Sequence, residues 1–168
     1  MPPHASAPSR IFVSYRRVDS QYAAGRIADY LRSQFGRTEI FMDVDSLAAG
    51  ADFVDGVLDA IRASAVVLVL IGDRWCDAED IRGRRRLDDP TDNVRMEIER
   101  ALQWRIHILP VLLSGAKMPR ADELPHSLAP LPRLNAVHLE HQSWDTDIKT
   151  LIEAVKALRS QPQRRGTP

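Results

Sequence analysis

One cysteine, Cys76, stands in a chain of 168 residues, so no intrachain disulfide can form. A domain held by its core in a reducing compartment fits that absence. Charge of one sign is missing as well: 23 Lys and Arg side chains balance 23 Asp and Glu, and the net charge is zero. No global field therefore favours nucleic acid or an anionic membrane. No apolar run approaches the ~20 residues that span a bilayer. The opening "MPPHASAPSR" has no charged-then-apolar signal pattern, which points to a cytoplasmic location. Neither G-x-G-x-x-G nor G-x-x-x-x-G-K occurs, so the usual glycine loops that cradle phosphates are absent and a Rossmann dehydrogenase is disfavoured. His4, His107, His126, His138 and His141 have no metal-ligand spacing, and no metal site is expected. Any function must sit in a local site.

What is present reads as one α/β domain. Apolar residues make up 44% of the chain and charged residues 27%, an ordinary globular balance at a length that suits one core. Residues 1–9 read as a flexible lead, and residues 159–168 as a disordered tail or a linker cut short. Short runs rich in β-branched and aromatic residues predict strands over 10–17, 39–44, 65–72, 106–113 and 135–140. "AVVLVLIG" (65–72) is apolar without alternation, as a central parallel strand covered on both faces should be. Pro110 lies inside the 106–113 run, so that strand is expected to be bulged, short or near an edge. Helical spacing predicts helices from Ser20 to a cap at Gly36, from Phe53 to about Arg62 behind an Asp52 N-cap, over 91–102 and over 146–158. Alternating strands and helices imply a mostly parallel sheet, whose ligands bind outside the carboxyl ends of the strands. That rule directs attention to residues 15–17, 43–45 and 72–75.

The helix "TDNVRMEIERAL" (91–102) raises a question, because two acids interrupt its apolar pattern. At about 100° per residue, Glu97 falls about 40° from the small Ala101, and Glu99 about 60° beyond Leu102. Both flank the apolar stripe, and geometry leans only slightly toward Glu97 as the acid that faces a site. Helix-flank acids usually face water, and that reading stands beside the functional one.

Other residues carry two readings each. In "SYRR", Tyr15 stacks on a ring or is a core aromatic; Arg16 and Arg17 meet a pyrophosphate, or are solvated or paired with Asp19 and Asp43. In "DVDSLAAGADF", Asp43 and Asp45 bind ligand hydroxyls or act as turn acids, and Phe53 contacts a ligand ring or anchors its helix. Trp75 walls the pocket or packs against a helix. Cys76 lacks a nucleophile partner and reads as a small buried filler. The run from Arg82 to Arg86 reads as a solvated loop paired with Asp88 and Asp89, without the interleaved aromatics of a nucleic-acid patch.

Taken in order, "RIFVSYRR", "IFMDVDSLAAGADF", "VVLVLIGDRW", "DNVRMEIERAL" and "ILPVLL" resemble a TIR (Toll/interleukin-1 receptor) domain of the bacterial type over residues 10–158. The resemblance implies a flavodoxin-like, three-layer α/β fold with a five-stranded, mostly parallel sheet flanked by helices. Many members of that family cleave NAD at the nicotinamide–ribose bond; others are scaffolds that recruit further TIR domains. By resemblance, Glu97 is the catalytic carboxylate, while Glu99 has no counterpart. Arg16 and Arg17 match substrate-contacting positions. Ser46, Leu47 and Gly50 lie in a loop that covers the site and meets neighbouring domains. Asn93 stands where some active members have an aromatic; it can hydrogen-bond to a substrate but cannot stack.

The implied protein is an NAD glycohydrolase, releasing ADP-ribose or a cyclic isomer, with NAD as substrate and no cofactor. It would act by self-assembly in defence or signalling, with other TIR domains or a fused sensor domain as partners. The alternative is a non-catalytic scaffold. The chemistry suits a carboxylate, because breaking the nicotinamide–ribose bond builds positive charge on the ribose.

Overall fold

The computed structural model describes residues 8–42 and 52–163. The strands are β1 (Arg10–Ser14), β2 (Ile40–Phe41), β3 (Ser64–Ile71), β4 (His107–Leu113) and β5 (Val137–Leu139). The helices are α1 (Arg17–Phe35), α2 (Phe53–Arg62), α3 (Asn93–Gln103) and α4 (Trp144–Arg159). All five strands are parallel in the order β2-β1-β3-β4-β5. This is the flavodoxin-like order, in which the chain winds first to one side of β1 and then to the other.

Strand residues alternate between two apolar layers, as a period of two requires. Ile11, Val13, Val66, Leu68 and Leu70 pack under α1 and α4, with Ile27, Leu31, Ile148, Leu151 and Val155 opposite them. Phe12, Val67, Val69 and Ile71 face α2 and α3, where they meet Val57, Ile61, Val94 and Ile98. All eight residues of β3 are buried, which explains its unbroken apolarity.

Several details differ from what the sequence suggested. β2 is only two residues long, and Met42 after it is not in a strand. α1 starts at Arg17 and kinks at Ser20 (φ −140°, ψ 19°). β4 is a full strand of seven residues rather than a short one, with Pro110 in register with Val69, and it lies near the sheet edge as Pro110 suggested. β5 pairs only with the segment from Val111 onward, so the missing N–H of Pro110 breaks no ladder on that side. The connection from β4 to β5 holds three short 3-10 turns rather than one helical turn. The caps follow expectation. Asp52 accepts from the N–H groups of Val54 and Asp55, and Gly36 (φ 95°) ends α1 with its N–H donating to Arg32 O.

One contact ties α1 to the sheet next to the site. The Asp19 carboxylate accepts from the backbone N–H of Gly72 and of Arg74, each at 2.8 Å. A Cβ on Gly72 would lie 2.5 Å from Asp19 Oδ1, so glycine is required here by close approach. Gly72→Ala is expected to lower stability by about 1–3 kcal/mol, the scale of a displaced buried hydrogen-bonding group. In urea denaturation, Gly72→Ala should add nearly nothing to Asp19→Ala, because both remove the same strap. Full additivity of the two would show that the strap does not carry the effect.

Candidate active site

β1 ends in a serine and is followed by an arginine that turns inward. Ser14 is the last strand residue, and it is almost fully buried. Its hydroxyl donates to Glu97 Oε2 at 2.6 Å, across 83 positions of sequence. Glu97 lies about one turn into α3 on the side toward β1, and is only partly exposed. Burial pushes its carboxyl up to about 8, against the downward pull of the Ser14 hydrogen bond; the charge of Asp92 adds to the rise and that of Arg16 opposes it. Burial therefore favours the protonated form of this group at neutral pH.

Arg16 and Asp92 fix the two elements that carry this pair. Arg16 precedes α1 in an extended conformation, is 2% exposed, and donates to both carboxylate oxygens of Asp92 at 2.9 Å. Asp92 is the N-cap of α3 and accepts from the N–H of Arg95 at 3.0 Å. One buried, bidentate ion pair thus joins the end of β1 to the start of α3 and sets Ser14 opposite Glu97.

The cleft over Glu97 has a volume of about 230 Å³. It opens beside the carboxyl ends of β1 and β2, between α2 and α3. Tyr15, Arg16, Arg17, Phe53, Asn93 and Glu97 all line it, as do Phe41, Arg86 and Asp92. Phe53 does both things that its position allowed: it lines the cleft and packs on the layer beneath α2 and α3. Phe41 stacks on Phe12 with ring centroids 5.2 Å apart, making an aromatic wall. Asn93 is exposed at the rim. A roomier groove of about 470 Å³ lies between α1 and α4. No titratable side chain on it is buried, so the chemistry belongs to the first cleft.

The two acids of α3 separate cleanly. Glu99 points away from the cleft and accepts from Arg95 Nε at 2.7 Å and from the Ser127 hydroxyl at 2.6 Å. Burial is the largest single influence on its carboxyl and raises it, but the two hydrogen bonds and the charges of Arg95 and Arg100 together lower it. Glu99 ties α3 to the turn at His126–Leu128, and Glu97 faces the cleft.

Other expectations need correction. Trp75 does not wall the cleft; it is fully buried in the layer under α2 and α3, because the turn after β3 folds its indole inward. Arg16 is neither solvated nor paired with Asp19: it is buried, and Asp92 takes both of its terminal nitrogens. Cys76 is partly exposed and lies beside Arg85, whose Nη2 approaches its sulfur at 3.3 Å. In the basic loop, Arg84 pairs with Asp80 and Arg85 with Asp88, while Asp89 accepts from Thr91. Asp43, Asp45, Ser46, Leu47 and Gly50 lie outside the described residues. Among the described residues, no cluster of His, Cys, Asp and Glu could hold a metal ion, and no helix is long and apolar enough to cross a membrane.

Ser14 and Asp92 join the site without having been singled out from sequence, and Arg86, read as part of a solvated loop paired with Asp88 and Asp89, instead lines the cleft and reaches Asp92. A signal for Asp92 is its place directly before the periodic helix, as an N-cap. Ser14 and Arg86 carry no such local mark.

Sheet order and cleft together define a flavodoxin-like α/β domain whose site is floored by a buried carboxyl. The TIR domain family model matches residues 11–152, and the chain belongs to that family. The chain is 32% identical over 145 residues to the NAD(+) hydrolase sarm1 of Drosophila melanogaster. That alignment takes in 84% of this chain and 10% of the relative, so the chain spans about a tenth of the length of that protein. Two solved structures agree in fold. The TIR domains of the activated Roq1 resistosome, which directly recognises the pathogen effector XopQ, superpose with a TM-score of 0.66 at 12% identity, over 88% of this chain and 99% of the other. The TIR domain of the Toll-related receptor TRR-2 from Hydra magnipapillata gives 0.58 at 14% identity, over 87% and 97%.

Proposed function

We propose that this TIR domain cleaves NAD at the nicotinamide–ribose bond, with Glu97 as the catalytic carboxylate. The observation that carries the reading is the part-buried Ser14–Glu97 hydrogen bond, with Glu97 lining the cleft. The likeness to a protein named as an NAD(+) hydrolase supports it. In the reaction, the C1′–N bond breaks and its electron pair returns to the pyridinium ring, so nicotinamide leaves neutral without an acid to protonate it. The positive charge that develops on the ribose is stabilised by ionised Glu97. Water then adds to C1′ and gives up a proton, yielding ADP-ribose; attack by the adenine of the substrate instead gives a cyclic isomer. A cationic substrate arriving over Glu97 favours loss of its proton.

The activity is tied to self-assembly of TIR domains in a defence or signalling role, within the cytoplasm, with NAD as substrate and no cofactor. A fused or partner sensor domain would supply the trigger. A second reading, a scaffold that binds other TIR domains without turnover, draws on Asn93, an exposed amide at the rim that cannot stack on a substrate ring. Incubation with NAD at high protein concentration, with products separated by chromatography, decides between them. Nicotinamide release with ADP-ribose or its cyclic isomer is expected. No release at any concentration, together with self-association, would support the scaffold.

A further inference from the structure

We propose that Arg86 is a substrate-binding residue that grips the pyrophosphate of the dinucleotide and so selects a phosphate-bearing substrate for the cleft. This rests on the reading of the cleft as an NAD site.

Two guanidinium groups converge on the single carboxylate of Asp92. Arg16 holds both oxygens at 2.9 Å and is buried, whereas Arg86 reaches Oδ1 only at 3.5 Å and is 42% exposed. Asp92 is further engaged by the N–H of Arg95. Its capacity is therefore nearly filled without Arg86, and the contact with Arg86 is the weak one. Among the described residues, Arg86 makes no other ion pair. Among the described residues, the cluster of Arg16, Asp92 and Arg86 carries a net charge of one positive unit on the cleft wall. An ionised pyrophosphate complements it, and a guanidinium fork fits phosphate oxygens in pairs.

The backbone of Arg86 is held where a binding arm needs to be held. Its N–H donates to Ala78 O at 2.8 Å, and the next residue, Leu87, is fully buried. Arg95 Nη1 donates to the carbonyls of Leu87 and Asp88 at 3.1 and 3.3 Å, which clamps the turn onto α3. The anchor is rigid and the side chain is lightly tethered, so little ordering remains to be done on binding. With no glycine-rich loop in the chain, side chains must hold a diphosphate, and one on this turn is placed to do so.

The test is Arg86→Gln and Arg86→Lys in the full chain, read by steady-state cleavage of NAD and by calorimetric titration with ADP-ribose. Arg86→Gln is expected to lower kcat/KM for NAD by about tenfold, mainly through KM, as loss of a charge-assisted hydrogen bond implies. The affinity for ADP-ribose should fall in parallel, Arg86→Lys should recover part of both, and the melting temperature should hold. The loss should be smaller for nicotinamide mononucleotide, which has one phosphate. Unchanged KM and unchanged ADP-ribose affinity in Arg86→Gln would overturn the assignment. So would a wild-type protein that binds no ADP-ribose, or a loss of affinity accompanied by a lowered melting temperature with no recovery in the lysine variant. If wild type binds ADP-ribose but releases no nicotinamide, the proposed activity fails while the titration still decides the role of Arg86.

Discussion

Glu97→Gln is expected to reduce nicotinamide release by about 10³-fold, the upper range for removing one preorganised electrostatic stabiliser, while leaving the fold intact. Glutamine keeps the size of the side chain and an oxygen that can accept from the Ser14 hydroxyl, so the floor of the cleft survives. What is lost is the negative charge that the developing ribose cation needs. Wild-type kcat/KM should rise with pH toward the carboxyl value of about 8 and then level off, because only the ionised form acts.

The same substitution has an opposite effect on stability. The folded protein keeps the Glu97 proton to a higher pH than the ordinary 4.5, where the unfolded chain releases it. Between about 4.5 and 8 the folded state therefore binds more protons than the unfolded state, and stability falls as pH rises, by at most about 1.4 kcal/mol per pH unit. Glu97→Gln removes that slope and should be more stable than wild type at pH 8, with no advantage at pH 4. Urea denaturation across this range, with chromatography of products, checks both halves. Full activity in Glu97→Gln would end the catalytic assignment; lost activity with lowered stability would mean that Glu97 is structural.

Asp92→Ala carries the largest expected cost in stability, about 3–5 kcal/mol. The loss strands the Arg16 guanidinium in a site where both partners are only 2–3% exposed. It also removes the N-cap of α3, for about 1 kcal/mol more. Against a typical total of about 5–15 kcal/mol, one substitution takes a large share of the folding free energy. Asp92→Asn retains a capping oxygen but not the charge, and should fall between wild type and alanine. The double variant Arg16→Met with Asp92→Leu should lose less than the sum of the two single losses, because it leaves no unpaired buried charge. A loss under about 1 kcal/mol for Asp92→Ala, the scale of a surface pair, would mean that water reaches Arg16 and that the pair does not set the geometry of Glu97.

The layers of the fold were largely legible in the amino-acid sequence, and the reasons are local. The unbroken apolarity of 65–72 marks a central strand, and Asp52 and Gly36 mark helix ends by their own chemistry. The end of β2 and the kink at Ser20 were not legible, since both depend on packing between elements. The site was legible only by half. The helical wheel left Glu97 and Glu99 nearly level, and resemblance to the TIR family separated them. The physical cause of the separation is a serine 83 positions away. Arg16 shows the same limit: the sequence offers Asp19 and Asp43 as nearby acids, but its partner lies 76 positions on. Trp75 follows a central strand and reads either as a pocket wall or as a packing aromatic; the turn that buries it, and so decides for packing, is held by Asp19 from another element.

The bond between Ser14 and Glu97 also bears on how the molecule comes into being. The serine is made with the first strand, while the acid emerges only after β3, two helices and the basic loop have been synthesised. A nascent or truncated chain that stops before α3 has the strand, the two neighbouring arginines and the aromatic wall, but no acid to complete them. The reactive centre and the closing of the second apolar layer depend on the same helix. A chain that stops short of α3 therefore lacks both the carboxyl of the cleft and the cover of that layer, whatever the cleft binds.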